Sequence, residues 1–403
     1  MKKILAIVLS LVMILSLAAC GSSTPAPAGT TAANDTTAEA ATTAGGEEGT
    51  PAEEGKEVKI GVLVADVSGE EALGFRAYYE DYIAKNYNVT FTYTEQLEDA
   101  ASEKSAIEKF AAQGYDAILS LSSSDRATQI ETAAANNLYY AVASGMLDDE
   151  QYEQFKGNEY FVGQIGPSME TEYEAGYEMG KYFADMGVKT VGMYGAFIPN
   201  PMHVYRAAGV LAGIGATYGG ASDKDAVVGQ IFGDQGVDIS KVECKDVELI
   251  GYFQGFGDTT FDELYAIIGQ QPEAFLSVGM ATTFFAEALN GANIPYSDID
   301  SFTSGNATNM ADGTLGYLAG KYSSSVGPIF AAVMNAVNGH AVRDPEGNAL
   351  SISQSYLVAT DSATFDEIFN GDKGESPIFS KEVLDTIIGD VTYDDFVALV
   401  ESK

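Results

Sequence analysis

From Val58 onward the chain alternates short apolar runs with stretches of helical periodicity. Val58–Ala65 is an almost continuous apolar run of strand length. Glu70–Asn86 places its apolar residues at helical spacing, Val89–Thr94 alternates like a strand, and Ala100–Gln113 is helical again and stops at Gly114. Ala117–Leu121 predicts a strand, Arg126–Asn137 a helix and Tyr139–Ala143 a strand. This β-α-β-α order predicts a parallel sheet with helices on both faces.

A second series starts after Gly166-Pro167. Glu170–Met186 is helical, Thr190–Tyr194 a strand and Met202–Tyr218 helical. Val247–Tyr252 is a strand, Phe261–Gln270 a helix and Ala274–Val278 a strand. Thr282–Leu289 is helical, Ile299–Thr303 and Leu315–Leu318 are strands, and Ser325–Asn338 is a late helix. Residues 219–245 are polar and rich in Gly and Asp, and read as an insertion.

Two such series predict two α/β lobes facing across a cleft, since a stretch this long exceeds what one core usually holds. Ligands of open parallel sheets bind beyond the carboxyl ends of the strands. The positions to inspect are therefore Asp66 to Phe75, Ser122 to Asp125, Ser144, Ala196 to Arg206, Phe253 to Asp258, Gly279 to Thr282, Ser304 to Asn306, and Lys321.

The segment before Val58 is different in kind. Lys2 and Lys3 precede an apolar run from Ile4 to Leu17, then Leu17-Ala18-Ala19-Cys20-Gly21. A basic start, an apolar stretch and a small-residue cleavage site make a secretory signal. The run is shorter than the roughly 20 residues a spanning helix needs. The Leu-Ala-Ala-Cys-Gly motif resembles the lipobox of bacterial lipoproteins, which implies cleavage before Cys20, lipidation of its thiol and an extracytoplasmic protein held at the cell membrane. Gly21 to Lys56 has no Val, Ile, Leu, Met or aromatic residue, so it cannot bury enough apolar surface to order itself. As a flexible tether it would span on the order of 30 Å.

The net charge of −37 argues against nucleic acid or an anionic lipid surface as a partner. With Cys20 used by the anchor, Cys244 stands alone, which excludes an internal disulfide. The two histidines, His203 and His340, are far apart, and there is no HExxH, CxxC or repeated Asp-x-Asp loop. Neither a catalytic metal nor a His-based triad is expected, and no cofactor is expected.

Over roughly Val58 to Ala359 the chain resembles the type 1 periplasmic binding proteins, the solute-binding subunits of ABC importers. The resemblance implies a two-lobed α/β fold, each lobe a parallel sheet with helices on both faces, and three hinge crossovers near Ile165, Lys321–Ser323 and Ser353–Tyr356. It implies a first lobe of residues 57–164 and 322–354 and a second of 165–321 and 355–403, after a signal (1–19) and a lipidated linker (20–56). It implies a monomer that hands a small ligand to permease subunits and does no covalent chemistry.

Val64-Ala65-Asp66-Val67-Ser68-Gly69, with Phe75, looks like the purine-nucleoside-binding basic membrane lipoprotein subfamily, as do Tyr252 to Asp258 and Lys321. Carried over, Phe75 and Phe256 would stack on a base, Asp66 would read its edge and Lys321 would contact the ribose. Stacking of this kind is worth about 1–3 kcal/mol per base. Arg76 stands where that subfamily has Asn, and Ser304-Gly305-Asn306 where it has an acidic ribose contact. The alternative is a monosaccharide-binding protein of the ribose/galactose type, whose Arg-x-x-Gly matches Arg206-Ala207-Ala208-Gly209. Arg presents a planar fork of donors suited to vicinal hydroxyls. That subfamily's Asn-Asp pair is replaced by Ala281-Thr282 and its Asp-Arg by Ser144-Gly145. The candidate ligand-binding residues are Asp66, Phe75, Arg76, Ser122, Ser123, Ser144, Arg206, Phe256, Gly279, Asn306 and Lys321. A ligand-sensing subunit is a further reading, and a surface hydrolase would need a nucleophile or metal motif that the sequence lacks.

Overall fold

The computed structural model of the chain describes residues 56–403, apart from 123, 199 and 256–258. The signal, Cys20 and nearly all of the linker lie outside the described residues.

The first sheet contains β1 (Val58–Val64), β2 (Val89–Tyr93), β3 (Ala117–Leu121), β4 (Tyr139–Val142) and β5 (Phe161–Gly166). The second starts with β6 (Thr190–Tyr194). A small hairpin, β7 (Thr217–Tyr218) with β8 (Val242–Glu243), precedes β9 (Glu248–Phe253), β10 (Ala274–Ser277), β11 (Tyr296–Ser301) and β12 (Leu315–Lys321). Then β13 (Leu350–Ser353) returns to the first sheet and β14 (Leu357–Ala359) to the second. The orders are β13-β5-β4-β3-β1-β2 and β14-β12-β11-β10-β6-β9, six strands each. Within these two sheets every pair is parallel except β12 with β14. Strands such as Ala117–Leu121 are buried almost throughout, as expected of parallel strands covered on both faces.

The chain passes between the sheets after β5, between β12 and the helix Gly327–Val337, and between β13 and β14. This two-sheet plan fits the expected fold. Several elements were not expected from the pattern: the helices Asp149–Phe155, Lys224–Asp234 and Ser304–Ala311, and β5 itself.

The expected boundaries need one correction. Residues 355–403 do not all stay with the second lobe. Helix Ser362–Gly371 packs on β14 and on Ser304–Ala311, but Lys381–Leu384 packs on Gly327–Val337 and Tyr393–Glu401 on β13. The tail thus crosses back to the first lobe. Phe379, Leu384, Ile387, Phe396 and Val400 are buried there. Tyr78 Oη donates to the Phe379 carbonyl at 2.6 Å and the Lys381 amide to Tyr82 Oη at 2.8 Å. At the crossing, Asp372 accepts from the Ser324 amide at 2.8 Å and from its hydroxyl. Helical periodicity shows that a terminal helix has an apolar face but not which lobe that face covers.

One close approach sets the geometry of the site. Helices Met169–Asp185 and Pro201–Gly213 meet backbone to backbone through Gly176 and Gly209. A Cβ on Gly176 would lie 2.1 Å from the Arg206 carbonyl oxygen, and one on Gly209 2.1 Å from that of Tyr173. Gly209 is therefore required by packing, and it brings Arg206 against Glu172.

Candidate functional site

The two lobes meet where the helix that follows β1 reaches the end of β11. Glu70 accepts from the Ser304 amide at 2.6 Å and from its hydroxyl at 2.8 Å. Glu71 accepts from Lys321 Nζ at 2.9 Å and from Ser301 Oγ. Both glutamates occupy the first turn of their helix, where acidic side chains are favoured, and both reach into the second lobe. Lys321 also stands 6.0 Å from the Phe75 ring centre.

Behind this contact lies a buried polar floor on the second lobe. Arg206 Nε donates to Glu172 at 2.6 Å, Nη1 to the carbonyls of Val278 (2.7 Å) and Ile299 (3.1 Å), and Nη2 to Tyr356 Oη at 2.6 Å. Tyr356 Oη in turn donates to Glu172. Four of the five guanidinium N–H groups are thus engaged by protein. Burial pushes the Asp298 carboxyl up to about 6, although the Thr282 amide and Ser277 hydroxyl bond to it. Asp300 is raised well above the usual range by burial and by the charges of Asp298 and Glu71. His203 is held neutral, at about 4, by burial and the Arg206 charge, and bonds to the Phe197 carbonyl at 2.9 Å. Asn306 is buried; its amide donates to the Ser301 carbonyl at 2.7 Å and its oxygen accepts from Thr282.

Above the floor the loops after β6 and β10 expose Phe197, Met280 and Phe284. Ala196 (φ +50°) and Met280 (φ +70°) hold left-handed backbone although neither is Gly. Strain of this kind persists only where the surroundings enforce it, and it gathers at functional sites. Beside the contact a groove of about 1220 Å³ opens between the helix starting at Glu70, the Thr303-Ser304 turn and the crossing tail at Lys373. It is large enough for a small ligand.

On the first lobe, Asp66 Oδ1 accepts from the amides of Ser68 (2.9 Å) and Gly69 (3.0 Å), and these bonds, chiefly Ser68's, hold its carboxyl below the usual value. Ser122 is buried and donates to Glu103, which also accepts from the amides of Ser124 and Asp125 (3.1 Å each) and from Gln129 (2.7 Å). Glu103 thereby fixes the loop after β3. Arg126 reaches from that loop to the next one and donates to the carbonyls of Ser144 (2.9 Å) and Met146 (2.8 Å).

The expected site residues therefore fall into groups. Lys321, Arg206, Gly279 and Asn306 sit together on the second-lobe side; a Cβ on Gly279 would lie 3.5 Å from Arg206 Nη1. Asp66, Ser122 and Ser144 lie on the first-lobe loops. Phe75 is 3 % exposed and belongs to the core, so its ring offers a ligand no free face in this conformation. Arg76 is exposed, pairs with Glu80 at 3.0 Å and lies over the Tyr93 ring. Ser123 and Phe256 lie outside the described residues. Glu71 fell within the span Asp66 to Phe75 and Tyr356 within an expected crossover, but neither was expected as a site residue, nor were Glu172, Glu103 and Arg126. The Asp298-Ile299-Asp300 alternation was a usable signal, since acidic residues inside a strand of a parallel sheet require partners. Among the described residues no group of His, Cys, Asp and Glu is arranged to hold a metal ion.

No protein-family model matches the chain, and no curated protein matches it significantly. Solved structures do. An ABC transporter periplasmic solute-binding protein from Actinobacillus succinogenes with bound D-allose matches 77 % of this chain and 100 % of its own at TM-score 0.55 and 12 % identity. A Bacillus halodurans ABC transporter solute-binding protein with bound myo-inositol matches 77 % and 96 % at 0.54 and 13 %. The periplasmic component of the arabinose ABC transporter from Shewanella, bound to α- and β-L-arabinofuranose, matches 77 % and 94 % at 0.52 and 16 %. The fold of this chain is that of the type 1 periplasmic binding proteins.

Proposed function

We propose that the chain is the extracytoplasmic solute-binding protein of an ABC importer and that it takes a small sugar-like ligand between its lobes. The observation that carries this reading is the meeting of two strand-end surfaces at Glu71, Ser301 and Lys321, over a buried polar floor. The three structures with this fold described above hold allose, inositol and arabinofuranose. Hydroxyl-rich ligands suit a site of paired charges, serines and amide groups with an exposed Phe197–Met280–Phe284 rim. Binding and lobe closure, with no bond made or broken, are the whole of the activity. The nucleoside reading rests on the Asp66–Phe75 and Lys321 resemblance; the covered Phe75 ring favours the sugar reading over it. The Leu17–Gly21 motif supports lipid anchoring through Cys20.

Calorimetric titration with D-allose, L-arabinose, D-galactose, myo-inositol and adenosine tests the reading. Binding of one of the sugars or inositol, with no response to adenosine, is expected. Adenosine binding without any polyol binding would overturn the ligand class in favour of nucleosides.

A further inference from the structure

One carboxylate at the lobe contact has no partner. Lys321 pairs with Glu71 at 2.9 Å and Arg206 with Glu172 at 2.6 Å. Glu70 takes the Ser304 amide and hydroxyl. Asp298 accepts from the Ser277 hydroxyl at 2.9 Å and the Thr282 amide at 3.2 Å. Asp300 differs from all of these. Among the described residues no donor bonds to it, and Lys321 and Arg206 act on it only from a distance, since each is held by its own glutamate.

Asp300 is also open. The residue is only partly buried, and neither of its oxygens is among the covered, unbonded polar atoms of the protein. It stands two residues beyond Asp298 on β11, so the two share a face of the strand. The next residue, Ser301, meets Glu71 of the first lobe. Across β12 its partner in register is Gly320, which brings no side chain to pair with it. Burial, then the charges of Asp298 and Glu71, hold its carboxyl well above the ordinary range, which reports the cost of an uncompensated charge there. A buried or half-buried polar group left unsatisfied calls for a physical reason. A neutral hydroxyl would give Asp300 a donor but leave its charge in place; an ammonium group supplies donor and counter-charge together.

Resting on the sugar-ligand reading, we propose that the ligand is an amino sugar or aminocyclitol and that Asp300 binds its ammonium group. Both cations already present at the contact are engaged by protein carboxylates, so the ligand brings the missing one. The site thereby prefers aminated polyols over their neutral parents.

The test is calorimetry on the full chain with D-glucosamine, D-galactosamine and D-mannosamine against D-glucose, D-galactose and D-mannose, with N-acetyl-D-glucosamine as an uncharged derivative. At least one amino sugar should bind tenfold or more tightly than its neutral parent, and the preference should shrink as salt rises. N-acetylation should remove it. Asp300→Asn should bring the ratio of the two affinities to within threefold of one, and Asp300→Glu should keep part of it. Melting curves are measured alongside: Asp300→Asn removes an unpaired charge and should not lower the melting temperature of the ligand-free protein. If that variant does not fold, the preference, its salt dependence and the N-acetyl comparison in the parent decide. Neutral sugars binding as tightly as the amino sugars would overturn the inference and leave the sugar reading intact. A preference that survives Asp300→Asn would overturn the assignment to Asp300. Binding of none of these compounds, nor of the other sugars and inositol, would overturn the inference together with the reading on which it rests.

Discussion

Arg206 and Glu172 form an ion pair with side chains only 5 % and 4 % exposed, held together by a helix contact that Gly176 and Gly209 make possible. A guanidinium so placed is bonded to protein on four sides and organises the floor of the second lobe. Removing one partner leaves an uncompensated charge, which typically costs about 3–5 kcal/mol. Glu172→Ala should therefore lower stability by that amount in urea denaturation. The double variant Arg206→Met with Glu172→Leu should recover most of it. A loss below about 1 kcal/mol for Glu172→Ala would show that Arg206 does not depend on it.

The Glu71–Lys321 pair joins the lobes but is partly exposed, so it adds under about 1 kcal/mol to stability. Its effect should appear in shape instead. Glu70→Ala combined with Glu71→Ala removes the bonds to Ser301, Ser304 and Lys321 and should increase the radius of gyration of the ligand-free protein in small-angle scattering. An unchanged radius would mean that these contacts do not restrain the lobes.

Asp372 should give the protein a specific pH signature. Burial pushes its carboxyl up to about 6, above the ordinary 3.8, despite bonds from Ser324 and Ile378. The folded state therefore binds this proton more tightly than the unfolded chain. The group destabilises the fold above pH 6 and is relieved as the pH falls towards 4. At 1.36 kcal/mol per pKa unit the swing is about 2–3 kcal/mol. Parent minus Asp372→Asn stability should rise by that amount between pH 7 and pH 4.5, since all other carboxylates are common to both. A constant difference across the range would refute the assignment.

Cys20→Ala should release the protein from the membrane fraction without altering its melting temperature. Retention of the variant on membranes after a high-salt wash would contradict lipid anchoring.

The architecture was legible where side-chain pattern and element coincide. Val58–Val64 and Ala117–Leu121 are buried runs in sequence and in structure, and Gly114 ends its helix as expected. The Ser304–Ala311 helix was hidden because Ser-Gly-Asn-Ala-Thr-Asn carries no apolar stripe; Thr303 caps it and Asn306 and Met310 bury it. Lys224–Asp234 was hidden by its two glycines and flanking Asp residues. The site was less legible than the fold. Lys321 meets Glu71 across 250 positions and Tyr356 meets Glu172 across 184, so no local pattern encodes either pair. Phe75 matched a motif by spacing, yet helix Glu70–Ala77 turns it into the core, because spacing does not reveal which face of a helix is covered.

The central claim is that one small ligand is held by both lobes at once. Hydrogen–deuterium exchange with and without the bound sugar tests this directly. At saturation, protection should rise together in the first-lobe loops 122–125 and 144–146 and in the second-lobe segments 278–282 and 301–304. Protection confined to one lobe, or absent under proven saturation, would contradict it.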